Sequence, residues 1–128
     1  MKGSKGFEEK ETGKILVHTG EGKGKTTSSV GQIVRAEGHG LSPKLISFFK
    51  GNDERFPRGT FAALRELGVP VKNYVRDHPD FGATSEGKAR SECRKAIAYL
   101  EEFFRSEGED YDLLVLDEVN VALADGFI

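Results

Sequence analysis

A chain of 128 residues, 37% hydrophobic and 31% charged, is sized and composed for one ordinary globular domain. Its net charge of −2 leaves no electrostatic footprint for nucleic acid, and no apolar run approaches the ~20 residues needed to cross a bilayer. The single cysteine, Cys93, excludes an internal disulfide or a cysteine zinc cluster, and the polar stretch from Met1 to Lys14 lacks the apolar centre of a secretory signal, so a cytoplasmic location is expected.

Met1 to Gly13 alternates Lys, Glu and Gly and reads as a flexible N-terminal arm (1–13) ahead of a single domain (14–128). Lys14 to Thr19, with β-branched residues in an apolar run, is predicted to be a buried first strand. It enters the glycine-rich turn Gly20-Glu21-Gly22-Lys23-Gly24-Lys25-Thr26-Thr27, which passes directly into a helical pattern over Thr26–Glu37, with Val30, Ile33 and Val34 recurring at helical spacing and Gly38 as its stop. Gly31 inside that helix is expected to permit close packing on a sheet. Lys44 to Lys50 predicts a second strand, Gly51 to Gly59 a charged loop, and Thr60 to Leu67 a short helix with Phe61, Leu64 and Leu67 on one face. Val71 to Val75 predicts a third strand and Arg76 to Gly82 another loop. Thr84 or Ser85 then caps a long helix reaching about Glu107, whose apolar stripe is Ala89, Cys93, Ala96, Ile97, Leu100, Phe103 and Phe104. Tyr111 to Leu116 is apolar nearly throughout, the pattern of a strand buried on both faces.

Strands alternating with helices predict an α/β fold: a mostly parallel sheet between helical layers, in the manner of P-loop NTPases, with its site loops gathered at the carboxyl ends of the strands. The glycine turn has the chemistry of a phosphate cradle. Its glycines let backbone N–H groups converge, Lys25 adds a positive charge, Thr26 offers a hydroxyl to a divalent cation, and the following helix presents its positive end. The P-loop pattern G-x-x-x-x-G-K-[ST] is not met in full, because its first glycine falls at Thr19 and is displaced to Gly20. Leu113-Leu114-Val115-Leu116-Asp117-Glu118 supplies the complementary half, an apolar strand ending in two acids that can hold Mg²⁺ opposite Thr26. Read without these two halves together, the first is a solvated turn and the second a pair of surface carboxylates. His18 reads as a packed strand residue, and His78, in the loop after the third strand, as a candidate substrate contact.

The segment Thr19 to Thr27 resembles the loop of the P-loop ATP:cob(I)alamin adenosyltransferases, which also lack the first P-loop glycine. Arg35-Ala36-Glu37-Gly38-His39-Gly40, Phe48-Phe49-Lys50-Gly51 and Leu116-Asp117-Glu118-Val119-Asn120-Val121-Ala122-Leu123 are similar to later segments of that family, in the same order. The resemblance implies a transferase in which Co(I) of a reduced corrinoid attacks the ribose C5′ of ATP and tripolyphosphate leaves. It implies nucleotide binding by Gly20, Glu21, Gly22, Lys23, Gly24, Lys25, Thr26, Thr27 and Arg35, and Mg²⁺ (or Mn²⁺) at Thr26 with Glu118 favoured over Asp117. Lys25 and Thr26 would act on the leaving group and Phe81 on the lower face of the corrinoid, while the second aromatic of that loop is replaced by Ala83. A flavoprotein reductant and a homodimer are the implied partners. Family members continue beyond the acidic strand, so ending at Gly126-Phe127-Ile128 is expected to leave apolar residues and a sheet edge uncovered. A P-loop ATPase or phosphotransferase, and a binding module without turnover, are the competing readings.

Overall fold

The computed structural model describes residues 13–19, 24–49, 59–76, 78–80 and 82–128. Its elements are α1 (Lys25–Gly38), β1 (Pro43–Phe48), α2 (Gly59–Glu66), β2 (Val71–Tyr74), α3 (Glu86–Ser106), β3 (Leu113–Asp117) and α4 (Val119–Ala124), with a short 3₁₀ turn at Gly108–Asp110. The three strands form one sheet in the order β2-β1-β3, every pair parallel. Parallel neighbours require crossover connections, which α2 provides between β1 and β2 and α3 between β2 and β3.

The period of two along β1 divides the core between two layers. Leu45 faces one side, where Ile33 of α1, Phe61 and Leu64 of α2 and Val69 close over it. Ile46 and Phe48 face the other, where Ala89, Cys93, Ala96 and Leu100 of α3 pack with Tyr74, Val75, Ala122 of α4 and Phe127. The predicted α/β architecture of helices on both faces of a parallel sheet is therefore present. Cys93 is fully buried on the α3 stripe, as its spacing predicts. Ser85 is the residue that caps α3, its hydroxyl accepting from the Lys88 N–H at 3.1 Å.

The amino ends of the strands are tied by polar contacts. Asp112 accepts from the Ser42 N–H at 2.8 Å. Lys44, nearly buried in β1, places its ammonium 3.3 Å from Glu107 and over the rings of Tyr99, Phe103 and Tyr111. The Tyr99 hydroxyl and that ammonium hold the Glu107 carboxyl below its ordinary range.

Several expectations are corrected. Residues 14–19 are not a strand, and Ile15, Leu16 and Val17 are 92%, 69% and 67% exposed. An apolar run becomes a strand only where a ladder partner accepts it, and among the described residues none pairs with this one. For the same reason β3, read as buried on both faces, is only half-buried over residues 113–116: its outer edge carries no ladder among the described residues. Val34 and Phe104 fall just outside the covered arc of their helices and are exposed, and Leu67, read as the end of the short helix, lies in the turn after α2 and is exposed. Gly31 is exposed, and a Cβ there would meet nothing within 4 Å, so it does not mediate close packing. Phe127 is buried rather than left uncovered, because α4 returns the chain across the α3 face.

Candidate active site

Gly24 opens α1 with φ of +113°, a left-handed conformation that glycine adopts without a Cβ clash. Its carbonyl accepts from the Ser28 N–H at 2.8 Å, so the helix is fully wound from Lys25 onward. Lys25 and Thr26 thereby stand on the first turn, where α1 concentrates its positive end. Thr26 Oγ1 donates to the Asp117 carboxylate, 3.2 Å from Oδ1 and 3.1 Å from Oδ2. These residues are 91 positions apart, and their bond joins the two halves of the motif read from the sequence. Gly20, Glu21, Gly22, Lys23 and Phe81 lie outside the described residues. Thr27 is exposed on the first turn. Arg35 is in the last turn of α1, ten residues from Lys25, or about 15 Å along the helix axis. It is not part of the Thr26–Asp117 cluster.

Each strand ends in the same unusual way. Phe49, Val75 and Glu118 immediately follow β1, β2 and β3, and their φ angles are +61°, +66° and +66°. For residues with a Cβ this costs about 1–2 kcal/mol each, and strain of that kind concentrates at functional sites. At Glu118 it turns the chain out of β3 into α4, and no side-chain cap bond offsets it. Glu118→Gly is therefore expected to raise the unfolding free energy of the ligand-free chain by about 1 kcal/mol, the relief of strain outweighing the extra entropy of glycine. Urea unfolding checks this, and a decrease would show that the half-buried side chain contributes more than the strain removes.

Register adds a feature that no sequence motif shows. On the α1/α2 face, Val71, Leu45 and Val115 form an apolar rung across the sheet. The next rung toward the carboxyl edge is Asn73, Ser47 and Asp117, polar on all three strands. Asp117 and Ser47 are both buried, and Ser47 Oγ has no hydrogen-bond partner. Hydroxyl and carboxylate oxygens without a nitrogen or sulfur ligand suit a hard cation that keeps most of its water, such as Mg²⁺. Among the described residues there is no group of three or more His, Cys, Asp and Glu side chains that could hold a metal ion, so a cation here would rest on the hydroxyl and carboxylate oxygens of Thr26 and Asp117. An orphaned hydroxyl in register with Asp117, which Thr26 meets, fits a hydrated cation in the same place.

The loop after β2 is anchored at residues 78–80. His78 Nε2 lies 2.6 Å from Asp125 Oδ2, and His78 Nδ1 lies 3.1 Å from the Asp80 backbone nitrogen. The ring also packs on Phe49 and Phe127, with centroids 5.1 and 5.7 Å away. Arg90 of α3 donates to the Gly126 carbonyl at 2.5 Å and lies over Phe127. His78, read from its loop position as a substrate contact, thus has a role in fastening that loop to the end of α4. Asp125 could not have been selected from sequence, since only the unpredicted α4 brings it there. His18, half-buried, reaches Gln32 of α1 at 3.5 Å.

Comparison with known proteins bears on what this arrangement serves. Residues 11–128 match the family model described as ATP:corrinoid adenosyltransferase BtuR/CobO/CobP. The corrinoid adenosyltransferase CobA of Salmonella typhimurium is 43% identical over 118 residues, which are 91% of this chain and 56% of the relative. The corrinoid adenosyltransferase of Pseudomonas aeruginosa is 32% identical, over 92% of this chain and 56% of its own. That of Escherichia coli K12 is 29% identical, over 89% and 55%. The chain spans about half the length of these curated relatives.

Proposed function

The chain belongs to the corrinoid adenosyltransferase family, and from that premise we propose that it transfers the 5′-deoxyadenosyl group of ATP to a reduced corrinoid, cob(I)alamin or cobinamide. The observation that carries the reading is the Thr26–Asp117 hydrogen bond, which joins the phosphate turn to the acidic strand end at the carboxyl edge of the sheet.

The reaction breaks a carbon–oxygen bond. Co(I) of the substrate corrinoid donates an electron pair to C5′ of the ribose, and the C5′–O bond leaves with its pair on tripolyphosphate. Cobalt is oxidised by two electrons to Co(III), now bonded to carbon. No proton transfer is needed, so no general base is required, and the task of the protein is to orient ATP and stabilise charge on the departing oxygen. Lys25 and the amides of the α1 first turn meet that charge. Thr26 and Asp117 would hold the divalent cation, Mg²⁺ or Mn²⁺, with Glu118 as the other candidate acid; once bound, it would supply charge stabilisation for the leaving polyphosphate. Gly20, Glu21, Gly22, Lys23, Gly24 and Thr27 are the further nucleotide-binding residues that the resemblance implies. Arg35, at the far end of α1, would serve the nucleotide, and Phe81 the corrinoid, as the resemblance implies. A flavoprotein supplies the Co(I) state, and the working form is a cytoplasmic homodimer. Among the described residues no helix is long and apolar enough to cross a membrane.

Incubation with ATP, Mg²⁺ and chemically reduced cobalamin tests the proposal. The expected result is the optical spectrum of an adenosylated corrinoid with one tripolyphosphate per adenosyl group. ADP or orthophosphate as product would favour an ATPase or phosphotransferase instead. A binding module without turnover draws on one observation, the exposure of Ile15, Leu16 and Val17 directly ahead of the phosphate turn. Ligand-dependent stabilisation with no adenosylated product would favour that reading.

A further inference from the structure

The polar rung at the carboxyl end of the sheet leaves one group unexplained. Ser47 is fully buried in the central strand, flanked in register by Asn73 on one side and Asp117 on the other, and its hydroxyl bonds to nothing. Neighbouring strands lie about 4.8 Å apart and paired residues in parallel strands project to the same face, so Ser47 Oγ opens beside the Asp117 carboxylate that meets Thr26. Asn73 is not left in the same condition, because its amide donates to the Val75 carbonyl at 3.2 Å. A buried hydroxyl with no partner is costly in the ligand-free chain, and native structures retain few such groups. An apolar residue would fill this position at least as well, as Leu45 does one rung earlier on the same face. The hydroxyl therefore has a use in another state of the molecule.

We propose that Ser47 is a positioning residue for the divalent cation at Thr26 and Asp117, its hydroxyl accepting a hydrogen bond from a water in the cation's hydration shell. A hard cation held by one hydroxyl and one carboxylate keeps several waters, and each needs an acceptor where the site is closed to solvent. Ser47 offers that acceptor from the strand adjacent to Asp117, on rigid backbone in the middle of the sheet. The inference rests on the reading of Thr26 and Asp117 as cation ligands and adds a residue that the phosphate turn and the acidic strand do not contain.

The test compares the full chain with its Ser47→Ala and Asp117→Asn variants, measuring the affinity for ATP with Mn²⁺ and in EDTA, and the melting temperature without ligand. For Ser47→Ala the affinity for MnATP is expected to fall roughly tenfold, while that for ATP in EDTA is unchanged. The ligand-free melting temperature is expected to rise by about 3 °C, because an unsatisfied buried hydroxyl is gone. A purely packing role would not separate metal-bound from metal-free nucleotide. If Ser47→Ala weakens both forms of ATP equally, lowers the melting temperature, or leaves MnATP affinity unchanged while Asp117→Asn reduces it, the role of Ser47 is overturned and the cation site stands. If the unsubstituted chain binds ATP no better with Mn²⁺ than in EDTA, the cation site and the role of Ser47 fall together.

Discussion

Lys25→Ala is expected to reduce adenosylation by about 10²–10³-fold at saturating ATP, the usual loss when one donor to a developing oxyanion is removed. ATP affinity should fall less, roughly tenfold to a hundredfold, corresponding to one charge-assisted hydrogen bond to the phosphates. The difference between the two losses is informative. Ground-state ATP already carries most of its charge, so Lys25 gains in the transition state only on the bridging oxygen as the C5′–O bond breaks. A drop in turnover at saturating ATP assigns the ammonium to the leaving group; weakened affinity with turnover unchanged would assign it to nucleotide binding alone. The fold should tolerate the change, since Lys25 sits on the first turn of α1 and α1 is held to the sheet by Ile33 and Ala36, well along the helix. Calorimetric ATP titration and the appearance of the adenosylated spectrum check the two quantities separately. Unimpaired turnover would remove the phosphate turn from the mechanism.

That the glycine turn and the acidic strand end belong together is legible from sequence because each half carries its own chemistry, glycines and a lysine before a helix and acids after an apolar run; which acid meets Thr26 is not, since the resemblance favours Glu118 and it is Asp117 that accepts from Thr26. The helices were legible because caps and apolar stripes are local, as Ser85 and the Ala89–Cys93–Ala96–Leu100 stripe show. What failed was non-local. Ile15-Leu16-Val17 has the side chains of a strand, yet a strand is defined by its ladder, and side-chain pattern says nothing about whether a partner edge is present. β3 is less buried than its apolar pattern predicts for the same reason. A stripe gives the direction of a helix's buried face but not its width, which is why Val34 and Phe104 were placed inside and are exposed. The helix α4 has six residues and starts from a left-handed Glu118 without a cap bond, so no start signal marks it. Ser47 was the least visible, a small polar residue within Leu-Ile-Ser-Phe-Phe. Only register, which sets it between Asn73 and Asp117, separates it from an ordinary strand serine.

Phe48→Ala is expected to lower the unfolding free energy by about 3–5 kcal/mol, the usual loss for truncating a fully buried phenylalanine. Domains of this size are stable by only about 5–15 kcal/mol, and the corresponding fall in melting temperature is on the order of 15 °C. Phe48 is wholly enclosed, with its ring centroid 6.3 Å from that of Tyr74 and 6.4 Å from that of Phe49, under the small residues Ala89, Cys93 and Ala96 of α3. Alanines and a cysteine are too short to collapse into the space a phenyl ring vacates, so the cavity term should approach its full size. The loss should also spread to the site, because Phe49, which stacks on His78, continues directly from Phe48, and Phe127 belongs to the same cluster. One residue earlier, on the opposite face, Ser47→Ala is expected to act in the other direction on stability. Adjacent positions of one buried strand would then show that the α3 face of β1 is built for packing, whereas the end of its α1 face gives up stability for a ligand. Denaturant melts of the two variants beside the unsubstituted chain measure both signs, and a stabilising or neutral Phe48→Ala would contradict the placement of α3 on this sheet.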